Sequence, residues 1–203
     1  MPAGPMVFVD IDTQRDFLEE SGALYVPGSR EIVANLARLT RLAAERGIRV
    51  VATACRHTLA DAELSEFPPH CLAGTEGQRR AEATECPDSV ILGPDERLEG
   101  PLPRHLTLQK RIFDVFSRPD AGELLARYNE EMPTFVVYGV ATDYCVRAAV
   151  EGLLARGCRV AVIVDAVRAI DPEAEASLLD DWVRRGVLLV MTDVVCKAGE
   201  LSS

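Results

Sequence analysis

Apolar positions along the chain change their period repeatedly. Residues 7–11 (VFVDI) form a short, mostly apolar run that reads as a β-strand. From 30 to 46 the side chains Ile32, Val33, Leu36, Leu39, Leu42 and Ala43 recur at three- and four-residue spacing, the stripe of an amphipathic helix that Gly47 stops. Residues 48–54 return to a short apolar run. The alternation continues, with strands predicted at 89–92, 106–108, 134–138, 159–164 and 187–191 and helices at 121–127, 142–156 and 172–185. Strands that are apolar on both faces and separated by helices pack as a parallel sheet covered on each side. The predicted fold is α/β: a three-layer α/β/α, Rossmann-like single domain with a mainly parallel central sheet, taken over residues 1–203. Ligands of such sheets bind beyond the carboxyl ends of the strands. The long connections at 55–88 and 93–104, rich in Pro, Glu and Gly, are suited to line that edge.

Composition narrows the function. A chain of 203 residues buries one substantial core, and its net charge of -10 argues against nucleic acid or an anionic membrane as partner. No apolar run approaches the roughly 18 residues that span a bilayer. The N-terminus has no basic region followed by an apolar core, so the expected location is cytoplasmic. Six cysteines lie scattered in a chain too large to need stapling, which points to free thiols. The expected partner is a small molecule, and the apolar content and helix layers permit a homo-oligomer.

The strand at 134–138 runs directly into GVATDYCVRAAVEGLLARG, residues 139–157. Gly139 opens the turn, and Cys145 falls in the first helical turn, at the ligand-binding edge of the sheet. Unpaired backbone N–H groups and the positive end of the helix dipole favour a thiolate there, which predicts a lowered thiol pKa and a nucleophile. Taken alone, the position equally suits a buried, inert packing thiol. Two acids compete at the end of the first strand: Asp10 and Asp12 are two apart in an extended stretch and are predicted to share a face. Spacing leaves open which of them reaches the cysteine, and either acid alone reads as a loop anchor or helix cap. Lys110, after the strand at 106–108, reads alone as a surface charge.

Together, "GVATDYCVRA" (139–148) and "DTQRDF" (12–17) resemble the signature of the isochorismatase-like cysteine hydrolases, nicotinamidases (pyrazinamidases) in particular. The resemblance extends from Val7 to about Val190, includes "VDAVRAIDPEAE" (164–175), and is weakest over 79–104. It implies a triad of Cys145 as nucleophile, Asp12, two before Gln14, as proton carrier, and Lys110 in "LTLQKRIF". It further implies a cis peptide between Val140 and Ala141, and an oxyanion held by the N–H groups of Ala141 and Cys145. A thiolate that attacks an amide needs a donor for departing ammonia and a base for the following water, and one carboxylate serves both in turn.

The resemblance also implies a divalent metal. His57 in "TACRHT" (53–58) and His70 in "EFPPHCLAGTEG" (66–77) match ligand positions, while Cys55 stands where the family has aspartate. Cys55 and His57 are two apart in an extended segment and can point the same way; with His70 they offer three ligands and leave positions open for water or substrate. A thiolate in place of a carboxylate shifts preference towards zinc. The same substitution also suits a degraded site in a metal-free enzyme. Phe17 and Phe67 match the positions that hold the substrate ring. Cys71 packs beside His70, and Cys86, Cys158 and Cys196 read as structural. The implied activity is hydrolysis of nicotinamide to nicotinate through a cysteinyl thioester, a step of NAD salvage. The alternatives are a metal-free relative acting on an isochorismate-like ether or N-carbamoyl compound, and a non-catalytic binding protein on the same fold.

Overall fold

The computed structural model describes residues 4–200, with side chains to Lys197. Seven strands form one sheet: β1 (Met6–Ile11), β2 (Arg49–Cys55), β3 (Val90–Leu92), β4 (His105–Lys110), β5 (Thr134–Val140), β6 (Arg159–Arg168) and β7 (Leu188–Val190). Their order is β3-β4-β2-β1-β5-β6-β7, and every pairing is parallel. The mainly parallel sheet expected from the pattern is thus wholly parallel among the described residues.

The helices are α1 (Arg15–Leu18), α2 (Ser29–Arg46), α3 (Ala121–Asn129), α4 (Arg147–Leu154), α5 (Pro172–Arg184) and α6 (Thr192–Glu200). Helix α2 presents Ile32, Leu36 and Leu39 to Phe8, Val136 and Ile163 on one face of the sheet, where Val195 of α6 joins them. On the other face Leu124 of α3, Val150 and Leu153 of α4 and Trp182 of α5 cover Val9, Phe135 and Val162. Successive strand residues therefore feed two cores, as the alternation of side chains across a strand demands.

Three departures from the sequence pattern have physical causes. The helix expected over 142–156 begins as a π-helical turn, Thr142–Val146, before α4 proper. Strand β6 continues past 164 to Arg168 because a bulge between Val137 and Gly139 lets β5 keep pairing with Val167 and Arg168. Helix α6 lies beyond the last element that the pattern predicts; Asp165 accepts from the N–H and hydroxyl of Thr192 and anchors its start.

The chain builds β1 and β2, crosses to β3 and β4, then returns to the far side of β1 for β5, β6 and β7. Strands β1 and β5 are neighbours at the point where the order reverses, which is where open α/β sheets form their clefts.

Candidate active site

Asp12, the residue after β1, is fully buried and takes φ of 45°, so it leaves the strand rather than continuing it. This corrects the expectation that it shares a face with Asp10. Asp10 stays in β1 and binds Arg80 and the Thr13 hydroxyl. Burial raises its pKa, a push that Arg80 and Thr13 oppose. Asp12 turns the opposite way: the Lys110 ammonium lies 2.7 Å from its Oδ2, and Thr53 donates its hydroxyl to Oδ1 at 2.6 Å while accepting the Asp12 N–H at 3.2 Å.

Lys110 ends β4 and is itself buried. Burial alone would lower its pKa, but the adjacent Asp12 carboxylate, which it also hydrogen-bonds, with the two neighbouring sulfurs, outweighs that, and the net shift is well above the ordinary lysine value. The ammonium therefore stays charged, and it also donates to Cys145 Sγ at 3.6 Å. The structure brings Asp12, Lys110 and Cys145 into one buried cluster.

Cys145 lies in the π-helical turn after β5. Gly139 makes the approach possible: it has φ of 115°, and a Cβ there would sit 2.0 Å from the Ile11 carbonyl oxygen. The Val140–Ala141 peptide is cis. The Ala141 carbonyl accepts the Tyr144 and Val146 N–H groups, closing the turn around the cysteine. Asp143 accepts the Ile170 and Asp171 N–H groups, and Thr142 donates to Glu175 at 2.6 Å, so the turn is tied to the start of α5. The expected low thiol pKa is not what the structure gives. The adjoining Cys55 sulfur, then burial and the Asp12 charge, push Cys145 well above the ordinary thiol value despite Lys110. In a site this dry, one turn of helix dipole does not offset desolvation and a neighbouring sulfur.

Cys55, the last residue of β2, is held at both ends of its peptide by Gln14, which accepts its N–H at 2.7 Å and donates to its carbonyl at 2.8 Å. Its sulfur faces two ways. Lys110 Nζ lies 3.2 Å away and Asp12 Oδ2 3.7 Å away, on the triad side. On the other side Cys55, His57, Glu63 and His70 each place a ligand-capable atom within 4.8 Å of the rest.

That donor set fits a divalent metal. The ring orientations agree: His57 Nδ1 pairs with Asp61 at 3.3 Å and His70 Nδ1 donates to the Pro68 carbonyl at 2.8 Å, so both rings turn Nε2 towards Glu63. His57 Nε2 and Glu63 Oε2 are buried without a hydrogen-bond partner, as atoms awaiting an ion would be. Burial lowers both histidines, so their rings are neutral at physiological pH and free to ligate. Glu63 was missed in the sequence, one acid among several in an irregular connection; only the fold brings it to His57 and His70. Asp16 supports the loop, accepting the Cys71 N–H beside His70 at 2.6 Å.

Phe17, Phe67, His70, Ala141 and Cys145 line a narrow cavity of about 30 Å³. Tyr144 meets Phe67 edge to face at 5.3 Å between ring centres, and Phe113 meets Tyr144 at 6.3 Å. Phe113 and Tyr144 lacked any spacing signal in the sequence.

A cysteine backed by a buried lysine–aspartate pair at the switch point of a parallel sheet, beside a Cys/His/Glu cluster, has the layout of a hydrolase. The family profile for the Isochorismatase domain matches residues 6–193, and the chain belongs to that family. It is 26% identical over 181 residues to a probable inactive nicotinamidase of Arabidopsis thaliana, with 87% of each chain covered. Among solved structures it resembles the pyrazinamidase of Pyrococcus horikoshii in complex with zinc, at 26% identity and a TM-score of 0.77, covering 93% of this chain and 99% of that one. It shares the fold of N-carbamoylsarcosine amidase from Thermoplasma acidophilum, at 23% identity and a TM-score of 0.74, covering 94% and 98%.

Proposed function

We propose that the protein hydrolyses a small aromatic carboxamide, nicotinamide to nicotinate, releasing ammonia through a cysteinyl thioester. The observation that carries this reading is the Lys110–Asp12 pair at 2.7 Å beside Cys145. The Cys145 thiol passes its proton to Asp12 as the sulfur attacks the carbonyl carbon. The N–H groups of Ala141 and Cys145 receive the developing oxyanion. Asp12 then gives its proton to the departing nitrogen as the C–N bond breaks and ammonia leaves; it takes a proton from the water whose oxygen attacks the thioester carbon, and returns it to the Cys145 sulfur as the C–S bond breaks and the acid leaves. Lys110 remains charged throughout and holds Asp12 in place.

A thiol kept neutral until substrate binds fits this cycle, because the proton needed by ammonia is carried in with the nucleophile. Phe17 and Phe67 flank a flat ring. The half-exposed Phe113 and Tyr144 must swing outward to admit it. Cys55, His57, Glu63 and His70 would hold a divalent metal, with zinc favoured by the thiolate. Such an ion would supply a Lewis acid to anchor a ring nitrogen or a water.

The test is ammonia release from nicotinamide by the full chain, before and after chelation, with Cys145→Ala alongside. Turnover lost in Cys145→Ala and reduced by chelator supports the reading. Wild-type turnover in Cys145→Ala ends the thioester, and chelator-insensitive turnover of an N-carbamoyl compound in place of nicotinamide favours the metal-free alternative. The relative named inactive makes a binding protein the third outcome: ligand affinity with no turnover before or after substitution.

A further inference from the structure

We propose that Cys55 and Cys145 form a redox pair, in which a hydroperoxide that oxidises Cys145 is answered by a reversible Cys55–Cys145 disulfide that silences the site. Both sulfurs sit around one nitrogen, at 3.2 and 3.6 Å from Lys110 Nζ, although one comes from the end of β2 and the other from the turn after β5.

Access separates their roles. Cys145 lines the cavity between Phe17 and Phe67 and is 8% exposed, whereas Cys55 is 1% exposed and lies behind it. A small hydroperoxide entering by the substrate path meets Cys145 first. Its thiolate, formed by proton transfer to Asp12, attacks the peroxide oxygen; the O–O bond breaks, a sulfenic acid forms, and the other oxygen leaves as hydroxide and is protonated. Cys55 sulfur then attacks the sulfenic sulfur. The S–O bond breaks, the S–S bond forms, and the hydroxyl leaves with the Cys55 proton as water. Two thiols lose two electrons in all, and the peroxide gains them.

A buried resolving thiol has a clear advantage, since without it a second peroxide would carry Cys145 to the irreversible sulfinic acid. Bonding at about 2.05 Å draws the sulfurs closer than they stand around Lys110. An acid at position 55 could not do this chemistry.

The test treats the full chain, with and without prior dialysis against chelator, with hydrogen peroxide, then blocks free thiols and digests with trypsin. The expected product joins peptides 50–56 and 128–147 with the loss of two hydrogens, and dithiothreitol reverses it. In Cys55→Ser the same treatment should leave Cys145 as sulfinic acid that dithiothreitol does not restore. Wild-type protein in which Cys145 becomes sulfinic while Cys55 stays a free thiol overturns the proposal. So does a cross-link from Cys145 to peptide 57–79, which carries Cys71.

Discussion

At the scale of single residues, two aspartates in one motif have opposite fates. Asp12→Asn is expected to abolish ammonia release as completely as loss of the cysteine, because members of a catalytic unit fail together. Asp10→Asn should leave the kcat of the folded protein within a fewfold, since Asp10 faces Arg80 and Thr13 rather than the thiol. Steady-state assays of both variants decide it, and the reverse order would put the proton carrier in the strand. Lys110→Met removes the ammonium 2.7 Å from the buried Asp12 and should cost about 3–5 kcal/mol in urea unfolding. A cost below about 1 kcal/mol would mean that Thr53 alone satisfies the carboxylate. The raised Cys145 pKa carries its own sign: the thiol stays protonated through neutral pH and ionises only above the ordinary thiol range. Alkylation of Cys145 by iodoacetamide should therefore keep climbing with pH beyond about 8.5, the free-thiol value. A plateau already reached at pH 7 would reveal a preformed thiolate and remove the proposed route for the ammonia proton.

Among the elements, the junction of β5 with α4 bears the most constraint. Gly139 must pass close to β1 with a backbone few other residues adopt, and Gly139→Ala would place a methyl 2.0 Å from the Ile11 oxygen. The expected loss is at least about 3 kcal/mol, read as a fall in Tm of roughly 6–12 °C. A shift of a degree or two would show that the turn can open without disturbing β1. The opening letters of the motif thus have a mechanical sense: Gly139 permits the close approach, and Thr142 and Asp143 fasten the turn to α5. The 12–16 turn is fastened in a similar way, through Gln14 to the backbone of Cys55 and through Asp16 to Cys71. Strand ends thereby hold both the triad and the histidine loop.

For the whole molecule, the parallel sheet places the triad and the Cys55, His57, Glu63 and His70 cluster at one edge, sharing Cys55 between them. Purified protein is expected to carry about one divalent metal per chain by elemental analysis. Because an ion bound only by the folded state stabilises that state, chelation should lower Tm and zinc should restore it. An unchanged Tm with no metal detected would leave the four residues as a buried polar cluster and direct the search to metal-free amide hydrolysis. Among the described residues no helix is long and apolar enough to cross a membrane.

The sequence by itself determined the layered α/β fold, because a parallel sheet covered on both faces writes itself as short apolar runs alternating with helical stripes. Through the family resemblance it also pointed to Asp12, Lys110 and Cys145, which the fold brings into one buried cluster, and to Cys55, His57 and His70, three of the four residues of the Cys/His/Glu group, since these lie at strand ends or within compact motifs. What it could not show depends on distance through space. Which aspartate reaches Lys110 was decided by the φ of 45° at Asp12. The fourth candidate ligand, Glu63, comes from an irregular connection with no period to mark it. The upward shift of the Cys145 pKa, and the double allegiance of Cys55, arise from burial and from a sulfur delivered by a strand 90 residues earlier in the chain. Periodicity records which face of an element is buried; only packing sets what that face meets.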